Sequence, residues 1–248
     1  MTYQLGFISD EAIFQHVKQT VEKYRSIITL NDFQRNIIDP IKLTFDAKIY
    51  QQSWSEIIES EVIRQLDKSN NNHIGYFHQN LFQYIDGWHV PLVGFDVVNE
   101  AQQIFVEMKN KHNTMNSSSA QKTYLAMQSK LLDNPQATCM LVEVIAKRSQ
   151  NIPWQVSVNG NSICHGQIRR VSIDQFYALA TGQADSFYQL CRYLPRIVND
   201  VLTITNLDTI IQNTVLNELA DIASDDLLKN IFTTSFASYH GFNNFAWG

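Results

Sequence analysis

The stretch Gly94–Thr114, "GFDVVNEAQQIFVEMKNKHNT", decides how this chain is read. Two runs rich in β-branched and aromatic residues, FDVVN and IFVEMK, flank a polar connection, which is the pattern of a hairpin. Charged side chains inside apolar strands are costly unless something pairs with them or uses them. Asp96 on the first arm, with Glu107 and Lys109 on the second, therefore needs a reason. A loop centred near Ala101-Gln102 sets Asp96 roughly opposite Glu107. Because side chains alternate along a strand, Glu107 and Lys109 share one face while Val106 and Met108 take the other. Two close carboxylates repel unless a cation lies between them, and Mg²⁺ prefers such oxygen ligands while keeping several waters. A metal held there polarises a phosphodiester and lowers the pKa of a bound water. Lys109 can orient or deprotonate that water, or neutralise charge developing on phosphorus. The pattern points to a metal-dependent nuclease site. A short D-x(n)-E-x-K pattern also arises on the wet side of an ordinary hairpin, and that reading stands beside it here.

Upstream, Ser9-Asp10 precede an amphipathic run (Ile13, Val17, Val21, Tyr24, Ile28) of helical period, a helix capped by Ser9. Asp39-Pro40 opens a second helix, which the spacing of Trp54, Ile57, Ile58, Val62 and Leu66 carries to about Lys68. "SNNNH" (69–73) and "NSSSA" (116–120) are short enough to be loops or caps. From Leu81 the texture turns to strands, three of them before a helix that bears Tyr124, Leu125, Met127, Leu131 and Leu132 and stops at Asn134-Pro135. "ATCMLVEVIA" (137–146) is a further strand, and "WQVSVNGNSICHGQIRRVSI" (154–173) a hairpin turning at Asn159-Gly160. Beyond Ser172 the chain reads as helical. The fold class is α/β, a mixed β-sheet core flanked by helices with helical N- and C-terminal extensions, in one domain over 1–248 with a catalytic core at about 50–147.

The string "FDVVN…VEMKNKHNTMNSSSAQKTY", with "ESEVIRQLDKSNNNHIGYFHQNLF" before it, resembles the PD-(D/E)-x-K nucleases. More specifically it resembles type II restriction endonucleases of the group recognising GGNCC or GGWCC, over about Asp39 to Pro195. The resemblance implies a restriction-endonuclease-like fold, Asp96 and Glu107 as metal ligands and Lys109 as the catalytic lysine. It also implies a Mg²⁺-dependent cut in double-stranded DNA, a palindromic target read by a homodimer, and a cognate DNA methyltransferase as functional partner. Phe95 stands where the motif's name has Pro, a residue that does no chemistry. Related nucleases often add a carboxylate from the preceding helix, and Glu61 is taken for it over Glu56 and Glu59. A less specific repair or junction nuclease keeps the same fold, and an inert DNA-binding module is the alternative from another class.

Asn110–Ser119 is dense in hydrogen-bonding groups directly after the active-site strand. Lys111, His112, Asn113 and Asn116 are candidate base readers, and Ser117 and Ser118 at a helix N-terminus are candidates for a backbone phosphate. Lys122, Arg169 and Arg170 are candidate phosphate contacts. The net charge is −5, yet from Met108 to Arg148 six basic residues face two acidic ones, and after Arg196 one basic faces six acidic. A basic middle and an acidic tail let one face meet a polyanion.

Other chemistries find little support. His73, His78, His89 and His112 lack metal-ligand spacing, and Cys164-His165 reads as part of a strand. Gly75-Tyr76 with Tyr84-Ile85-Asp86-Gly87 falls short of the GIY-YIG pattern, because no arginine occurs between Gly87 and Arg148. There is no phosphate-binding glycine loop. Three cysteines, no run near the roughly 20 apolar residues of a membrane span, and no basic-then-apolar leader make a cytoplasmic protein without membrane attachment the expectation. Arg169–Pro195 suits core packing or a dimer interface, and the aromatic "FTTSFASYHGFNNFAWG" (232–248) suits docking onto the body or a partner.

Overall fold

The two arms of the hairpin form one edge of a five-stranded mixed sheet. A computed structural model describes residues 2–112, 115–158, 160–206, 212–221 and 226–235. In chain order the elements are α1 (Asp10–Lys23), β1 (Ile27–Ile28), α2 (Leu30–Arg35), α3 (Pro40–Ile49), α4 (Trp54–Leu81), β2 (Val97–Asn99), β3 (Ile104–Lys111), α5 (Ser117–Asp133), β4 (Thr138–Ile145), β5 (Asn151–Val158), β6 (Asn161–Ser172), α6 (Ile173–Thr181), α7 (Ser186–Thr205), β7 (Gln212–Asn213), α8 (Val215–Ala220) and α9 (Leu227–Ser235). The described residues within 1–22 and 73–206 gather into one compact unit, and those within 23–72 and 207–248 into a second. No helix among them is long and apolar enough to cross a membrane.

The first unit holds the sheet, in the order β2-β3-β4-β6-β5. β3, β4 and β6 run parallel, and antiparallel β2 and β5 close the edges. This is the mixed sheet flanked by helices that the sequence predicts. One face packs Val106, Met108, Met140, Val142 and Val171 against Ile13 and Val17 of α1, Phe77 and Leu81 of α4, Phe176 of α6 and Leu190 of α7. The other packs Phe105, Cys139, Leu141 and Ile168 against Tyr124, Met127 and Leu131 of α5. Of the five apolar residues expected to line α5, Leu125 and Leu132 are exposed, since one helix face accommodates only the 124, 127, 131 stripe. Hairpin β5–β6 pairs Val158 with Asn161, and Gly160 takes φ +82° as the turn requires. Asn159 lies outside the described residues.

The second unit has its own core, with Phe33 of α2, Leu43 of α3, Ile58 and Val62 of α4, Val215 and Leu219 of α8 and Ile231 of α9. β1 and β7 pair in parallel there. Residues 236–248 of the aromatic C-terminal stretch lie outside the described residues.

Three local expectations change. The helix predicted from Pro40 to Lys68 is two helices, because Gln51 takes φ +53° and Ser53 opens a capping box. The Ser53 N–H donates to the Glu56 carboxylate at 2.8 Å and the Glu56 N–H donates back to Ser53 Oγ at 3.3 Å. Next, α4 runs straight through the supposed loop at 69–73. Asn71 donates to Asp67 and Asn70 accepts the Arg25 N–H, so these side chains bond within or across the helix rather than unwinding it. Lastly, the first of three strands expected before α5 shrinks to a single bridge, His89 to Val98, next to Pro91, which offers no N–H to a ladder. At the N-terminus, Ser9 Oγ accepts the Ala12 N–H at 3.2 Å, the cap expected for α1.

Candidate active site

The turn between β2 and β3 sets the register on which the site depends. Asn99 Oδ1 accepts the Gln102 N–H at 3.0 Å, and Gln103 adopts φ +56°, so the chain reverses over residues 100–103 as predicted. Val97 then faces Val106, and the regular ladder ends. Beyond it the Asp96 N–H donates to Val106 O at 2.8 Å, while Asp96 Oδ2 accepts the Met108 N–H at 2.7 Å. The carboxylate thus stands in for a ladder carbonyl, against the backbone between Glu107 and Lys109. On the α5 side of the sheet, Lys109 Nζ donates to Glu107 Oε1 at 2.6 Å. Asp96, Glu107 and Lys109 are brought together.

Burial pushes the Asp96 carboxyl above its ordinary range. The Met108 N–H opposes this, the Glu107 charge adds to it, and Lys109 and a Gln79 amide oppose it again. The net rise means the site disfavours the Asp96 charge, which a cation between the carboxylates would relieve. Glu107 and Lys109 line a cleft of about 610 Å³ together with Phe95, Met115, Ser119, Lys122, Thr123 and Ala126. The first turns of α5 form its opposite wall.

The other predicted residues divide. Lys122 lines the cleft, and Ser117 and Ser118 are exposed on the first turn of α5. Lys111 is exposed at the end of β3. Asn116 is the helix cap, its Oδ1 accepting the Ser119 N–H at 2.8 Å. His112 and Arg170 both engage Glu143 within the sheet unit. Arg169 bonds Asn151 and Gly166 O along the β5–β6 hairpin. Asn113 lies outside the described residues.

Glu61 is in the second unit, where Arg64 holds both its oxygens at 2.6 Å and Gln65 donates at 3.0 Å. Burial would raise its carboxyl, but those partners hold it below the ordinary range. The α4 residue that reaches Asp96 is Gln79. Reading 69–73 as a loop hid it; the helical spacing of Leu66, Phe77 and Leu81 was the available signal. Among the described residues no cluster of three or more His, Cys, Asp or Glu could hold a metal.

The sequence matches the model of the Eco47II restriction endonuclease family over residues 5–203. It is 32% identical over 209 residues to the type II restriction enzyme Sau96I of Staphylococcus aureus, covering 79% of this chain and 80% of that one. It is 29% identical over 214 residues to the type II restriction enzyme Eco47II of Escherichia coli, covering 80% and 88%.

Proposed function

The chain belongs to the Eco47II restriction endonuclease family and is a site-specific type II restriction endonuclease acting on double-stranded DNA with a divalent metal; from that premise we propose that the metal is Mg²⁺, held by Asp96 and Glu107. Two carboxylates suit Mg²⁺, which keeps several of its waters and needs no all-protein cage. When bound, the ion supplies charge stabilisation at the scissile phosphate and a more acidic water. The chain's own groups do the rest. Gln79 and the Met108 N–H fix the Asp96 carboxylate, and Glu107 positions the Lys109 ammonium at the cleft. Lys109 orients the attacking water and offsets negative charge as the new P–O bond forms and the ester P–O bond breaks. Lys111, Lys122, Ser117 and Ser118 anchor the phosphate backbone alongside.

The target proposed is a palindromic GGNCC or GGWCC sequence, cut by a homodimer whose two-fold axis matches that of the DNA. A cytoplasmic location and a cognate DNA methyltransferase complete the proposal. The observation that carries it is the meeting of the Asp96 carboxylate with Glu107 and Lys109, the latter two lining a cleft walled by Ser119 and Lys122. Plasmid DNA incubated with and without Mg²⁺ tests it, with the ends mapped. Discrete fragments ending at GGNCC or GGWCC, only with Mg²⁺, are expected. Smearing or no cleavage overturns the site-specific Mg²⁺ reading.

A further inference from the structure

A third carboxylate lies beside the site. Glu143 of β4 and Lys109 of β3 are register partners on adjacent parallel strands, with backbones about 4.8 Å apart. Their side chains leave the same face of the sheet, and Glu143 is only 1% exposed. A buried carboxylate so placed, lacking other cations, would draw in a lysine within reach. Lys109 nevertheless donates to Glu107 at 2.6 Å and lines the cleft.

Arg170 accounts for this. Its Nε donates to Glu143 Oε2 at 3.0 Å and its Nη2 to Glu143 Oε1, a two-pronged clasp. His112, at the end of the catalytic strand, brings Nδ1 to 3.0 Å from Glu143 Oε2 and 2.7 Å from Arg170 Nη2. That nitrogen either donates to the carboxylate or accepts from the guanidinium, and it is held in both cases. Arg170 pairs in register with Leu141, which pairs with Glu107, so an apolar side chain separates the guanidinium from the catalytic carboxylate.

We infer that Arg170, with His112, is a positioning residue that saturates Glu143 and so keeps Lys109 committed to Glu107 and the cleft. This rests on the reading that Lys109 acts in cleavage. It gives Arg170 a role distinct from holding a phosphate. His112, held by the same carboxylate, also ties the turn after β3 to β4 and β6.

The test is single-turnover cleavage of a cognate duplex with Mg²⁺, beside DNA affinity measured without metal and the melting temperature of each variant. Arg170→Gln leaves Glu143 free to capture Lys109, and the rate should fall by about tenfold or more with DNA affinity unchanged. Removing the competitor as well, in Arg170→Gln with Glu143→Gln, should return the rate close to wild type. Arg170→Lys, which keeps a cation on Glu143, should also cleave and guards against a fold that fails with glutamine. Full activity of Arg170→Gln overturns the inference. So does a loss of DNA affinity, or a double variant that folds yet stays as slow as the single one. Lys109→Ala separates the two levels. If it cuts at the wild-type rate, the reading of Lys109 itself falls; if it is inactive while Arg170→Gln is fully active, only the present inference falls.

Discussion

Asp96→Asn should change stability in opposite directions with and without metal. In the metal-free protein, burial and the neighbouring Glu107 charge raise the Asp96 carboxyl, even though Met108, Lys109 and Gln79 pull it down. A raised acid pKa means the folded state disfavours the charged form. The neutral isostere should therefore melt higher than wild type near neutral pH, at a site where function is maintained against stability. With metal the order reverses. An ion that binds the folded state alone stabilises by about 2.7 kcal/mol at a hundredfold excess over its dissociation constant. For a protein of this size that is roughly 5–10 °C in melting temperature. Wild type should gain that increment from Mg²⁺ or Ca²⁺ without DNA, whereas Asp96→Asn and Glu107→Gln should gain little, each lacking one of the two proposed ligands. The increment should also fade on acidification, starting above the pH at which an ordinary Asp titrates, because a proton competes for a carboxyl whose pKa is raised. The metal-free fold, at this group, is favoured by the same acidification. Thermal melts across a divalent-ion series at two pH values read all of this. An Asp96→Asn protein that gains the full wild-type increment would refute the assignment of Asp96 as a ligand.

Further outcomes are expected. Lys109→Ala should bind cognate DNA in Ca²⁺ but not cleave it in Mg²⁺; cleavage at the wild-type rate removes Lys109 from the chemistry. Gln79→Ala removes a donor to the Asp96 carboxylate and should slow cleavage by about tenfold, the worth of one hydrogen bond to a charged group. Equal rates would make Gln79 a packing residue. DNA affinity should fall steeply with salt, and Lys122→Ala should reduce the slope by about 0.9 if the cleft holds one phosphate there. Light scattering at working concentration should give the mass of two chains; a monomer that nicks the strands one after the other contradicts the homodimer.

The sequence by itself determined the β2–β3 hairpin and the shared position of Asp96, Glu107 and Lys109 on it. Period-two alternation puts Val106 and Met108 into one core and Glu107 and Lys109 onto the other face, and polar residues at 99–103 place the turn. Both signals are local, so no partner elsewhere in the chain was needed to read them. Helix limits were less legible, since a capping box and one left-handed residue divided a continuous apolar period, and packing of Phe77 and Leu81 carried α4 through three consecutive asparagines. What only the tertiary structure decided were the meetings of distant residues. Gln79 against Asp96, and Arg170 with His112 on Glu143, join side chains from different elements. Strand order sets such contacts, and it depends on which strand pairs with β4 after a helix and a hairpin intervene. A charge pattern along the chain cannot say which cation a buried carboxylate will find. That is settled by register between strands, and register between non-neighbouring strands is a property of the packed sheet.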